Sequence, residues 1–574
     1  MNADQLSELL TVLWAWIAAP AVALAALVLT VRLRLPQVLG LPTAFRALRE
    51  EDPGAGGAIP PAAAVAMSTV ASYGAAGAVG AATAVALGGP GAIAWVCLFS
   101  FLLAPLRVGE AVLARTAPVG QAGGATGSLA GRLLVDRAPL VRALGWALFA
   151  LVPLAGFAYF GGVHGGAVVD AAEQLLPGSA IVLGGVVAAV GAGLALLPGR
   201  RFGALLGWLA AVSLIALFGA ALVTLFSDLG RGLAAIPRAI TDAIYDMPSA
   251  GAFSGALAAE IAVAAVLHLA SPLAASSGVE GAWHAEAQAK STKAQAAAAM
   301  LGALGYGALT AVLGLALVAT NAFIRPTETT RALADVTFYT APFETVSQRR
   351  EQSRRFRGII RVTEGTTGVV TIHPGVERSM ILTPTFEENG EPADVMLRVD
   401  GGRVVEVQRP GTLGALETAG PEALRSVRVR GRTTPRGGLL LAEAIAHGGG
   451  SITSRVALAA LLLLAALGVA AWGFGVRKTL ASKIPDAQAR FAAVLPALGL
   501  GVAVAGAWAD FAAFGLAIGG LLAIAGAIAL FAKSSEIAQL LGDKRPAAPA
   551  PSGPIAAPDD DAAAAAKRKR KKRR

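Results

Sequence analysis

Residues 62–87 run for a membrane-crossing length without one charged side chain, yet Gly74, Gly77 and Gly80 punctuate the middle of the run. In hydrocarbon every backbone N–H and C=O must be satisfied within the segment, so a spanning stretch of this kind has to be helical. Glycine weakens a helix, and a break at bilayer depth is tolerated where it lines a cavity or a binding site. The same glycines also let neighbouring helices approach closely in lipid. Either way, the run predicts a helical membrane protein, with a helix that is either interrupted at these glycines or packed closely through them.

Composition agrees. The chain of 574 residues is 55% hydrophobic and 15% charged, with 69 glycines and a mean hydropathy of +0.63. These values exclude an ordinary soluble enzyme. No acid–base pair or nucleophile motif stands at a consistent depth, so no enzymatic activity, metal site or cofactor is expected. The single cysteine, Cys97, excludes an intrachain disulfide.

A hydrocarbon core of about 30 Å needs roughly 20 apolar residues in helix. Stretches that meet this lie near 8–30, 62–87, 90–113, 139–161, 178–198, 203–226, 251–274, 296–320, 454–475, 489–509 and 513–532, which predicts eleven spans. Met1–Gln5 has no basic region, so the first stretch is expected to stay as a helix. Arg32, Arg34, Arg46, Arg49, Arg115, Arg132, Arg137, Arg142, Arg200, Arg201, Lys290, Lys293, Arg477, Lys478 and Lys483 all fall on one side of these spans. The opposite loops, near 88–90, 162–177, 227–250 and 507–512, hold few basic residues. The positive-inside rule then puts the N-terminus outside and the C-terminus in the cytoplasm, in a plasma (inner) membrane.

Residues 325–450 interrupt the apolar pattern. Short β-branched runs at 358–362, 368–372, 395–399 and 403–407, with turn pairs Asn389-Gly390 and Asp400-Gly401, predict a β-rich extracytoplasmic insertion. His373 and His447 are lone histidines in it. The predicted layout is thus helices 1–8 over 1–324, the insertion, helices 9–11 over 451–535, and a tail over 536–574. The tail ends in Lys567–Arg574 and reads as disordered, cytoplasmic and suited to anionic lipid. It has no interleaved aromatics, and no nucleic-acid partner is expected.

Several segments resemble the alanine or glycine:cation symporter family. Ala81–Ala92 is similar to that family's first core helix, Gly109–Ala114 to a following segment, and His284 with Ala299–Gly302 to a later stretch. Trp472–Gly475 and Ala509-Asp510 look like two further pieces. The resemblance implies an inverted five-plus-five helix repeat of the leucine-transporter-like kind with an extra N-terminal helix. It also implies two helices unwound at midplane, whose N–H groups hold a substrate carboxylate while carbonyls and hydroxyls hold sodium. Carried onto this chain, the substrate-binding positions are Ser72, Gly74, Ala75 and Gly77 at the first unwound helix, and Ser276, Ser277 and Gly278 at the second. His164 stands where the family has a glutamine. It either faces the substrate path or sits at the outer interface beside Asp170.

The family's polar groups are partly missing. Its Thr, Gly and Asn fall on Ala75, Ala76 and Gly77, its Asn and Glu on Leu273 and Ala274, and an aspartate on Tyr306. The resemblance therefore implies a secondary transporter of a small amino acid with Na⁺ or H⁺ as coupling ion, and the losses favour weak dependence on sodium, with transport driven by protons or by the substrate gradient. The titratable candidates for coupling are Glu260, within the seventh span, and His164. The competing reading is a membrane scaffold or receptor that has kept the fold and binds an extracytoplasmic protein partner through its β-rich insertion.

Overall fold

The computed structural model describes residues 9–52, 57–117, 127–197, 199–245, 271–325, 327–340, 356–367, 370–374, 381–410, 416–419, 422–433, 435 and 437–542. The apolar stretches are helices: α1 (Leu9–Arg32), the bent pair α2 (Pro61–Tyr73) and α3 (Ala76–Gly88), α4 (Ala92–Arg115) and α5 (Pro139–Leu175). After these come α6 (Ala180–Leu196), α7 (Gly199–Phe226), α8 (Leu229–Tyr245), α9 (described over Ser271–Ala275), the short α10 (Glu280–Ala285), and α11 (Thr292–Thr320). The last are α12 (Gly437–Leu480), α13 (Asp486–Gly506), α14 (Phe511–Ala532) and α15 (Ser534–Gly542).

Among the described residues eight helices are long and apolar enough to span a membrane, and the bent pair makes a ninth. The predicted span 178–198 is the shorter apolar helix α6. The span 251–274 lies almost wholly outside the described residues, and with it Glu260. Trp16, Ile181, Trp208 and Ile215 are each about 70% exposed on helix surfaces, where lipid rather than water suits them. The chain is therefore a multi-pass, mostly helical membrane protein.

Several boundaries differ from the prediction. The loops expected at 162–177 and 227–250 are largely helical: α5 runs on to Leu175, and Leu229–Tyr245 forms α8. A polar stretch is compatible with helix wherever one face can be solvated, and hydropathy alone does not separate such a helix from a loop. The insertion was expected to reach residue 450, but its last strand ends at Thr433 and helix resumes at Gly437. That helix of 44 residues would be about 66 Å long if straight, and it breaks at Gly450 (φ 83°).

The insertion is β-rich. Its strands are β1 (Thr327–Ala332), β2 (Val336–Thr340), β3 (Gly358–Val362), β4 (Val370–Pro374) and β5 (Leu382–Glu388), followed by β6 (Glu391–Pro392), β7 (Val395–Asp400), β8 (Arg403–Pro410), β9 (Leu416–Ala419) and β10 (Val427–Thr433). They form antiparallel sheets ordered β1-β10-β5-β6, β2-β4 and β3-β7-β8-β9. Along β7 alternate residues Val395, Leu397 and Val399 are buried, joining Phe338, Ile360, Phe386 and Val429 in a separate core. Asn389-Gly390 forms the β5–β6 turn with positive φ at both residues, as a two-residue hairpin requires. In the second hairpin the turn residues are Gly401 and Gly402, because Asp400 pairs with Arg403.

Side chains predicted on one side of the membrane meet in space. Arg32 bonds Ser535, Arg132 bonds Glu536, Lys533 bonds Asp136, and Lys478 bonds Glu286. At the other helix ends, Arg238 donates to Asn321 at 3.0 Å and the Gly438 N–H to Asp170 at 3.3 Å.

Candidate substrate crease and buried ion cluster

The uncharged run 62–87 is interrupted at its glycine. α2 ends at Tyr73, Gly74 takes φ 44°, and α3 starts again at Ala76 with a 45° bend. Only glycine adopts this conformation without strain. The break frees backbone groups on both sides. The Trp472 indole N–H takes the Ala71 carbonyl at 2.7 Å, while no side chain of its own turn caps α3.

His164 occupies the crease. It ends a π-helical stretch, Gly156–His164, inside α5, and π turns recur at functional sites. Its imidazole is fully buried and stacks on Phe160 at 4.3 Å. Nδ1 lies 3.5 Å from the Ala76 N–H, and Nε2 has no partner. A Cβ on Gly74 would lie 2.3 Å from Nδ1, so the ring fits only because residue 74 is glycine. The placement beside Asp170 at a wet interface is therefore corrected: Asp170 meets the backbone of Gly438, and His164 faces the break. Gly77 lies in the first turn of α3 against the Tyr73 ring, 2.6 Å from where its own Cβ would stand. Tyr306 packs edge-on to Tyr73 at 5.4 Å, and its hydroxyl is buried without a partner. Ser72 is buried, but its hydroxyl donates to the Thr69 carbonyl at 3.1 Å, within its own helix.

The second predicted break is real and differently furnished. α9 ends at Ala275, Gly278 takes φ 88°, and α10 begins at Glu280. Glu110 Oε1 accepts the N–H groups of Gly278 at 2.9 Å and Gly281 at 2.8 Å. Arg107, one turn earlier on α4, pairs with Glu110 at 2.9 Å and with Glu280 at 3.0 Å. Its Nη2 also donates to the Leu273 carbonyl and, at 2.7 Å, to Ser276 Oγ. Ser277 donates to Ala274 O at 2.9 Å. The broken backbone here is thus held by the chain's own charges.

The predicted residues therefore divide. Gly74, Ala75, Gly77 and His164 share the first crease, Ser276 and Gly278 bond the ion cluster, and Ser277 bonds the Ala274 carbonyl of its own turn. His284, on the helix after the second break, packs against the helix before the first: its Nε2 lies 3.1 Å from Ser68 Oγ on α2, and its Nδ1 is 2.8 Å from Gln295 Nε2. Sequence reasoning missed Arg107, Glu110 and Glu280 as site residues. The signal was present, since Arg107 and Glu110 stand i,i+3 inside an apolar span where charges are functional by default.

No curated protein matches the chain. The sequence pattern of the sodium:alanine symporter family matches residues 2–330, more than half of the length, and stops where the β-rich insertion begins. That is a family of transporters and not of enzymes. With a broken second span, a second break that closes on α4 and this match, the chain belongs to the sodium:alanine symporter family.

Proposed function

We propose that the protein is a secondary transporter of a small amino acid of alanine or glycine size, and that the Gly74–Gly77 crease is its substrate seat. The observation that carries the reading is the N-terminal end of α3, uncapped by its own turn, whose Ala76 N–H lies 3.5 Å from His164 Nδ1. A helix N-terminus attracts an acceptor or an anion, and a substrate carboxylate is the better fit. The imidazole stands in that position here, so the described conformation is closed and the ring swings out as substrate enters. Tyr73, Tyr306 and Phe160 would wall the seat once the imidazole leaves, and that aromatic bulk favours a small substrate side chain.

His164→Ala removes the competing acceptor. Losing one hydrogen bond of about 1 kcal/mol from the closed state lowers the KM for alanine several-fold, and larger substrates such as valine become acceptable. Uptake of labelled amino acids into proteoliposomes measures both. Unchanged KM and selectivity would remove His164 from the path.

The crease is filled by the chain's own side chains, and that observation supports the scaffold reading, in which the β-rich insertion binds an extracytoplasmic partner. A scaffold gives no uptake with any variant. The proposed orientation has the insertion outside. Labelling of Glu391→Cys from outside, with Lys483→Cys unlabelled, is the expected pattern, and the reverse inverts the topology.

A further inference from the structure

Arg107, Glu110 and Glu280 are buried together, 1–3% exposed, where α4 meets the second break. In their ordinary ionised forms they sum to one positive and two negative charges. A surplus charge in a lipid-embedded bundle is costly and is met by a partner, a cation or a proton.

The hydrogen bonds distinguish the two carboxyls. Glu110 accepts two backbone N–H groups on Oε1 and an Arg107 N–H on Oε2, so both of its oxygens act as acceptors, as in the ionised form. Glu280 is different. Its Oε2 lies 3.0 Å from Arg107 Nε, but the pair is not aligned as a hydrogen bond and Oε2 has no donor. Its Oε1 is 2.6 Å from Ser276 Oγ, and that hydroxyl also lies 3.0 Å from the Leu273 carbonyl and receives Arg107 Nη2 at 2.7 Å. A serine hydroxyl has one hydrogen and two lone pairs. If the hydrogen goes to Leu273 O, both lone pairs take donors, one from Arg107 and one from a carboxyl O–H on Glu280. Every short contact of Ser276 is then satisfied.

We propose that Glu280 is protonated in this closed state, and that the proton, lost to water as the Ser276–Val279 break opens, is the coupling ion. The step is an acid dissociation: the Glu280 O–H bond breaks, its electron pair stays on the carboxylate, and water carries the proton away. Only the coupling role rests on the transport reading. Around Glu280, α4 contributes Arg107 and Glu110, and its own helix contributes His284, which bonds Ser68 on α2 and Gln295 on α11. Arg115 holds the His284 and Ala287 carbonyls at 2.9 Å, and Lys478 of α12 pairs with Glu286 beyond the helix end.

Infrared spectroscopy of the purified full-length protein, without substrate, tests the proton directly. With ¹³C-labelled glutamate the parent should show an isotope-shifted carboxylic-acid C=O band at neutral pH that disappears on alkaline titration and is indifferent to sodium chloride. Glu280→Gln should lose that intensity and melt close to the parent, because it replaces one neutral group by another, whereas Glu110→Gln should melt well below. No glutamic-acid band in the parent, a band undiminished in Glu280→Gln, or a band erased by sodium overturns the proposal. In proteoliposomes the parent's alanine uptake should fall as pH rises, and Glu280→Gln should be flat with pH. An equally steep profile in Glu280→Gln overturns the coupling role. Absence of all uptake fails the transport reading instead, and the infrared result still decides the proton.

Discussion

Arg107→Met is expected to lose about 3–5 kcal/mol of stability, enough to leave little folded protein, because it strands Glu110 with no cation in a buried site. The guanidinium is 3% exposed and joins Glu110, Glu280, Leu273 and Ser276. Its removal unfastens the second break as well as the ion pair. Adding Glu110→Gln to Arg107→Met removes the stranded charge and should recover part of the loss. Thermal melting of the detergent-purified variants measures this. A melting point for Arg107→Met near the parent would mean that water or lipid headgroups already reach the cluster.

Gly74→Val is expected to abolish uptake while the protein still inserts. Two effects act together. Gly74 has φ 44°, a conformation that strains a β-branched residue by about 1–3 kcal/mol. The added Cβ also meets His164 Nδ1 at 2.3 Å. The chain must then straighten the break or expel the imidazole, and either outcome destroys the seat. Gly77→Leu acts at the next turn through the Tyr73 ring, 2.6 Å from the new Cβ, and should give the same silent, inserted protein. Undiminished alanine uptake by either variant would show that the break is not where substrate binds.

The helical scaffold was legible in the sequence because hydrocarbon enforces it. A stretch such as Ala92–Arg115 has one stable form in lipid, and its length announces it. The strands were legible from alternation, and Val395, Leu397 and Val399 do face one core. Boundaries were less so. Leu229–Tyr245 carries charges, as a loop does, and its helical form depends on which face is solvated. The first break could be read because glycine marks it. His164 could not be placed by hydropathy, since a polar residue flanked by glycines looks the same at a wet helix end and in a crease. What set its depth was the π-helical stretch and the length of α5 beyond it. The ion cluster was overlooked for another reason. Glu110 lies in the family-like segment Gly109–Ala114 and Arg107 just before it, and the partner Glu280 is 170 residues beyond Glu110, so only the fold shows that three charges share one site.

Counterflow tests the central claim without assuming a coupling ion. Proteoliposomes holding the parent protein and loaded with unlabelled alanine are diluted into a trace of labelled alanine. The account predicts transient accumulation of label by exchange through the Gly74–Gly77 crease, and none with Gly74→Val. If folded parent protein shows no counterflow with alanine, glycine or serine, the crease carries no substrate and the chain is a scaffold built on a transporter's frame.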